Sequence, residues 1–251
     1  MHIFYFTATG NSLATAKSIG GALISIPQVV DSGDLHYKDD IIGIVFPIYG
    51  LGIPKMVHRF LSKAKFEAGY TFAIGTYGNL SGAAMLNFQK QAGKLGHSFD
   101  YVNDLLMLDN YLPMFETGNE MEKLPKKNVG EKTAQIVEDI RKRRHMEAKA
   151  SLGARALTAV LNPIMPPSKK AAQKYIINEQ CNKCGICAQV CPAKNITAAG
   201  KVDFRDQCEG CSACLHLCPK NALHLKNEKS NKRWRHPDVS LKELIEANDR
   251  G

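Results

Sequence analysis

Short apolar runs alternate with stretches of helical periodicity through the first half of the chain. His2–Phe6 is a short β-rich run, and Asn11–Leu23 has helical composition with small residues along it. Asp40–Phe46 is a continuous apolar run of the kind that a parallel strand buried on both faces needs. Pro54–Ala64 reads as a helix with proline near its first turn. Tyr70–Gly75 is a further buried strand, and Ala83–Leu95 is a helix closed by Gly96. Phe99–Leu108 carries a fifth strand, interrupted by Asp104. Glu131–His145 predicts a charged amphipathic helix with Ala134, Val137 and Ile140 on one side. The second strand has the weakest signal, and Gln28–Val30 is the candidate for it. This alternation predicts an α/β fold: a doubly wound, five-stranded parallel sheet with helices on both faces.

After that pattern ends, the chain changes character. Residues 1–147 are expected to form the sheet unit, 148–175 a basic and apolar connector, 176–226 a small α+β unit, and 227–251 a tail. In the connector, Leu152–Met165 is apolar enough to want cover, and Pro163, Pro166 and Pro167 break any helix there. In the tail, Ser240 and Glu243 have the spacing of a capping box for a short helix carrying Leu244 and Ile245.

Composition removes several classes. Hydrophobic residues make up 44% and charged residues 23%, so disorder, collagen and coiled coil are excluded. No apolar run reaches the length of about 18 residues that a membrane span needs. The start, MHIFYFTATGNS, lacks the basic and apolar regions of a secretion signal, which predicts a cytoplasmic protein. The formal charge of +9 is unevenly spread. Residues 1–122 hold 8 Lys/Arg and 11 Asp/Glu, whereas residues 123–175 hold 13 and 4, with RKRRH at 141–145. That stretch reads either as a solvated helix face or as a docking patch for an acidic redox partner. Nucleic acid is not expected, because no aromatic residues interleave the charges.

All eight cysteines fall at or after residue 181. Cys181, Cys184, Cys187 and Cys191 have the spacing C-x2-C-x2-C-x3-C followed by Pro192. Cys208, Cys211, Cys214 and Cys218 repeat it before Pro219, at an offset of 27 residues. A cubane has four iron corners, each taking one soft thiolate. Three closely spaced cysteines wrap three corners, and the fourth comes too late to close the same cube without strain. The halves are therefore expected to exchange fourth ligands, as bacterial two-cluster ferredoxins do. One [4Fe–4S] cluster would take Cys181, Cys184, Cys187 and Cys218, and the other Cys208, Cys211, Cys214 and Cys191. Ile186, Val190, Ile196, Val202, Ala213, Leu217 and Leu223 would form a dry sheath. Lys183, Gln189 and His216 read as solvent-facing filler inside the motifs, with tuning of the clusters as the alternative. Disulfides would need an oxidising compartment, and structural zinc favours separated pairs.

A second motif follows the first strand. Thr7-Ala8-Thr9-Gly10-Asn11-Ser12 opens a helix, and its hydroxyls, amide and inward backbone N–H groups suit a phosphate. The alternative is a plain Ser/Thr-rich helix start. Two later loops also leave strand ends, where open α/β sheets bind ligands. They are Pro47-Ile48-Tyr49-Gly50-Leu51-Gly52 and Thr76-Tyr77-Gly78-Asn79-Leu80-Ser81-Gly82. Each sets a tyrosine beside glycines, as a flat ring would want, or as turn aromatics do.

TATGNS, the PIYG loop and the TYGN loop resemble the three flavin-binding segments of flavodoxins. The cysteine region resembles a bacterial ferredoxin with two clusters, and the order of the two resembles flavodoxin–ferredoxin fusion proteins. That resemblance implies a flavodoxin-like FMN unit joined to a 2[4Fe–4S] ferredoxin-like unit. The phosphate would lie on Thr7, Thr9, Gly10, Asn11 and Ser12. The ring would lie near Pro47, Tyr49, Gly50, Thr76, Tyr77, Gly78 and Asn79. It implies an electron-transfer iron–sulfur flavoprotein that passes electrons between the clusters, FMN and a redox partner protein in an anaerobic cytoplasm. The alternative is an FMN-dependent reductase of a small organic substrate, with Leu152–Met165 as a lid and Asp109, Asn110 and Tyr111 as the polar group to test.

Overall fold

The computed structural model describes residues 1–163 and 171–249. Five parallel strands, β1 (His2–Tyr5), β2 (Ala22–Ser25), β3 (His36–Pro47), β4 (Lys65–Tyr77) and β5 (Tyr101–Leu106), form one sheet in the order β2-β1-β3-β4-β5. This is the flavodoxin-like doubly wound order, with the topological switch between β1 and β3.

The second strand lies elsewhere than expected. The helix α1 (Asn11–Ile19) ends early because Gly20 and Gly21 have φ of +87° and +99°, outside the helical range. That frees Ala22–Ser25 to pair with His2–Tyr5. Gln28 instead lies in a single helical turn, α2 (Ile26–Val29), which has Pro27 in its first positions.

Strand alternation sorts the core into two layers. Ile3, Val45, Phe72, Ile74 and Leu105 face α1 and α6 (Val129–Arg141). Phe4, Ile42, Ile44, Phe46 and Ala73 face α3 (Lys55–Leu61) and α4 (Ala84–Lys94). Gly43 is required where β3 passes Phe72: an added Cβ would lie 2.0 Å from the Phe72 ring. On α6 the buried pair is Ile136 and Ile140, one turn apart, while Ala134 is exposed.

The basic run at the end of α6 sits near the N-terminal ends of the strands, the opposite edge from the glycine loops. Lys142 pairs with Glu138, Arg143 with Asp40, and Arg144 with Asp139. The three basic side chains remain about half exposed, at 57%, 46% and 59%.

In the connector, α7 (Leu152–Leu161) buries only Thr158. Leu152 and Val160 remain 82% and 62% exposed, so the expected cover is missing over the described part of this segment. Pro166 and Pro167 lie outside the described residues.

The cysteine region is a duplicated unit. The strands β6 (Tyr175–Ile177) and β9 (Leu223–Leu225) pair antiparallel, as do β7 (Ile196–Thr197) and β8 (Asp203–Phe204). Each pair joins one half to the other. Two single-turn helices, α8 (Ile186–Gln189) and α9 (Ala213–His216), repeat at the same offset of 27 as the cysteines. Left-handed backbone repeats with them: Lys183 and Gly210, Gly185 and Ser212, Lys194 and Asn221. The tail then returns to the sheet unit through α10 (Leu241–Glu246), where the expected Ser240–Glu243 capping box forms and Leu244 is fully buried. Among the described residues no helix is long and apolar enough to cross a membrane.

Candidate functional site

The eight thiols fall into two sets of four. Cys187 is held up at about 11, first by burial and then by the thiols of Cys218, Cys181 and Cys184, against a backbone hydrogen bond from Ala188. Cys211 and Cys214 are pushed well above the ordinary thiol value, first by burial and also by Cys191 and Cys208. The fourth cysteine of each motif therefore lies within electrostatic reach of cysteines of the other motif, and Cys214 also feels Cys187. A small cavity is lined by Cys191, Cys208, Cys211 and Cys214, with Tyr175 and Phe204 stacked beside it.

Backbone N–H groups already point at sulfur. Asn195 donates to Cys191 and Ala222 to Cys218, each at 3.2 Å, and Gly210 donates to Cys208 at 3.3 Å. All eight cysteines are free. Among the described residues no three His, Cys, Asp or Glu side chains converge as a single metal ion requires. Thiols spread around an empty volume instead suit a cubane, which presents one iron to each thiolate.

The sheath differs from expectation. Ile196, Val202 and Leu223 enclose the thiols, whereas Val190, Ala213 and Leu217 join the core shared with α1. The outer set includes exposed Cys184; the inner set lies against the sheet unit. There Glu209 accepts hydrogen bonds from the backbone N–H groups of Lys55 and Met56 at the start of α3. Tyr49 sits within electrostatic reach: burial first, then Cys211 and Glu209, raise its hydroxyl well above the ordinary value.

The three loops after β1, β3 and β4 meet at the C-terminal edge of the sheet. Thr7, Thr9 and Ser12 are buried, and Ser12 Oγ lies 2.8 Å from Thr76 Oγ1. Thr7 Oγ1 is buried with no hydrogen-bond partner, a polar atom that a phosphate oxygen would satisfy. Tyr49 and Gly52 exchange backbone hydrogen bonds around Gly50 and Leu51, whose φ values of +55° and +60° make a tight left-handed turn. Asn162, just beyond α7, donates to the Gly50 carbonyl at 2.9 Å. The two tyrosines have different neighbours: Tyr49 packs near Phe6, and Tyr77 lies by Asp104 and Ser81.

Residues beyond the expected site brace these loops. Gly78 must be glycine, because a Cβ there would lie 2.3 Å from Asp109 Cβ. Asn79 donates to Asp109 and to Glu120, a residue of α5 (Thr117–Lys123). Lys127, in a single 3₁₀ turn, donates to the carbonyls of Gly78 and Met107 and pairs with Glu120. Asn110 donates to Thr9 Oγ1 at 2.6 Å. His216 is 4% exposed and bonded on both ring nitrogens, which corrects its reading as solvent-facing filler.

Residues 174–197 match the 4Fe-4S binding domain family. The match covers the first cysteine motif and none of the sheet unit. No curated protein matches the chain. Among solved structures, the chain is similar to the two-electron reduced flavodoxin of Megasphaera elsdenii, at 18% identity, over 53% of this chain and 98% of that one, with a TM-score of 0.31. It is similar to the Trp repressor binding protein of Bacillus subtilis at 13% identity, over 43% and 84%, with a TM-score of 0.29. It is similar to rubredoxin oxygen:oxidoreductase of Desulfovibrio gigas at 14% identity, over 55% and 35%, with a TM-score of 0.31.

Proposed function

We propose that this protein is an electron-transfer iron–sulfur flavoprotein carrying two [4Fe–4S] clusters and one FMN. The observation that carries the reading is that Tyr49, on the loop after β3, lies within electrostatic reach of Cys211 of the inner thiol set, both packed against the same apolar core. One cluster takes Cys181, Cys184, Cys187 and Cys218, and the other takes Cys208, Cys211, Cys214 and Cys191. Thr7, Thr9, Gly10, Asn11 and Ser12 hold the flavin phosphate, with the orphaned Thr7 hydroxyl as a donor. The ring lies near Pro47, Tyr49, Gly50, Thr76, Tyr77, Gly78 and Asn79. When bound, clusters exchange single electrons and a flavin exchanges one or two.

The chain's own residues supply access and order. Exposed Cys184 sets the outer cage at the surface, where a partner protein docks. The inner cage faces Tyr49 and the strand ends. Backbone N–H groups aimed at sulfur tune the potentials. Eight free thiols suit a reducing compartment, so the reading places the protein in the cytoplasm, with a redox protein as its partner.

A second reading is favoured by α7. Asn162 on Gly50, and Thr158 Oγ1 accepting the Ala83 N–H at 2.9 Å, set this helix over two of the three loops. There it would be the lid of a reductase for a small organic acceptor. Anaerobic purification with iron, sulfide and flavin assays tests the main reading: about eight irons and one FMN per chain are expected. Four irons, or no flavin, overturns it. Saturation by a small acceptor in place of turnover with a carrier protein selects the second reading.

A further inference from the structure

The loop TATGNS is held from outside by residues that belong to the cysteine region and the tail. Trp234, the chain's one tryptophan, donates its indole N–H to Asn11 Oδ1 at 3.1 Å. His236 donates its backbone N–H to the Thr9 carbonyl at 2.8 Å. An added Cβ on Gly10 would lie 2.9 Å from His236 Cβ and 3.0 Å from Val239 Cβ, so the tail lies directly over the loop. Asn110 holds the Thr9 hydroxyl.

These contacts converge on one side chain of the second cysteine motif. His216 Nδ1 accepts the backbone N–H of Trp234 at 3.1 Å. Its Nε2 therefore carries the proton and donates to the Asn110 carbonyl at 2.8 Å. His216 lies in α9, two residues from both Cys214 and Cys218. A helix of one turn does not hold itself together. Filling the two cages would tie Cys214 and Cys218, on either side of His216, to different clusters. The imidazole, and with it Trp234 and Asn110, would then have a fixed base.

We infer that His216, Asn110 and Trp234 are positioning residues for the nucleotide loop, which couple its hold on FMN to the filling of the cysteine cages. This inference rests on the function proposed above. Coupling of this kind is reciprocal: whatever factor the clusters add to FMN affinity, FMN adds to cluster retention.

The test is anaerobic titration with FMN, read by quenching of flavin fluorescence. It uses cluster-loaded wild type, Asn110→Leu and Trp234→Phe, with iron content measured on each sample. Both variants are expected to keep wild-type iron and to bind FMN at least about fivefold more weakly, the lower range of measured couplings. A second measurement follows iron loss to a chelator with and without FMN: FMN is expected to slow it in the wild type, and that protection is expected to shrink in both variants. A general loss of stability would speed iron loss without removing its dependence on FMN. FMN affinity within twofold of wild type in both variants, or chelation of the wild type at a rate indifferent to FMN, overturns the coupling and leaves the cofactor assignment standing. Loaded wild type that takes up no FMN overturns both.

Discussion

The buried ammonium of Lys127 donates to the carbonyl oxygen of Gly78 at 2.6 Å. The same nitrogen pairs with Glu120, whose side chain is 1% exposed. An extension of the sheet unit thus pins the TYGN loop from beneath with a buried ion pair. Removing one member of such a pair leaves the other charged and desolvated, which costs about 3–5 kcal/mol. Lys123 also reaches Glu120, so Lys127→Met is expected near the low end, about 3 kcal/mol. Urea unfolding with an unchanged slope would register it as a lower midpoint.

The two sets of thiols give a prediction that sequence order alone would reverse. Cys191 belongs to the first motif but lies with Cys208, Cys211 and Cys214. Cys191→Ala is therefore expected to abolish the same cluster signal as Cys211→Ala, and Cys218→Ala the same signal as Cys184→Ala. Low-temperature electron paramagnetic resonance of the reduced variants separates the two. A Cys191→Ala spectrum that matches Cys184→Ala would refute the exchange.

Gly10 has φ of +105° and lies under His236. Gly10→Ala combines a strained backbone, costing about 1–3 kcal/mol, with a close contact that the tail must yield to. Lower thermal stability and earlier proteolysis of the tail are expected together. A variant as stable as wild type with a protected tail would mean that the segment does not rest on the loop.

Acid sensitivity is expected at α10. A hydrogen bond from Lys17, then those from the backbone and side chain of Ser240, pull the Glu243 carboxyl down to about 2 from an ordinary 4.5. Its contribution is complete above pH 4.5 and is lost as pH falls toward 2, because the unfolded chain takes up the proton first. Wild type minus Glu243→Gln isolates this effect, since acid damage to clusters is common to both. The difference in stability between them should shrink with falling pH, and a difference independent of pH would rule out this carboxylate.

Much of the fold was legible because each signal was local. Asp40–Phe46 and Tyr70–Gly75 mark the central strands by unbroken apolar runs, and both strands prove longer. The 27-residue cysteine repeat recurs in the two short helices and the left-handed turns of the structure. Ser240 and Glu243 made the predicted cap. The misplaced β2 has an equally local cause: Gly20–Gly21 outweighs the helical composition around it.

What sequence left hidden was long-range. Nothing near His216 announces Asn110 or Trp234, which are distant in the chain. Glu120 and Lys127 look like ordinary surface charges until the loop closes over them. Asp40 of β3, which answers Arg143 of the RKRRH run, lies far from it in the chain. Leu152 and Val160 were expected to be covered and are bare, a difference that composition alone does not foresee.

The strand pairings of the cysteine region make its two halves depend on each other. Tyr175–Ile177 finds its partner in Leu223–Leu225, and Ile196–Thr197 finds its partner in Asp203–Phe204. Neither half closes a ladder within itself. A single copy would have to associate with a second one to satisfy its own backbone. Carrying both copies at a 27-residue offset on one chain makes that association intramolecular.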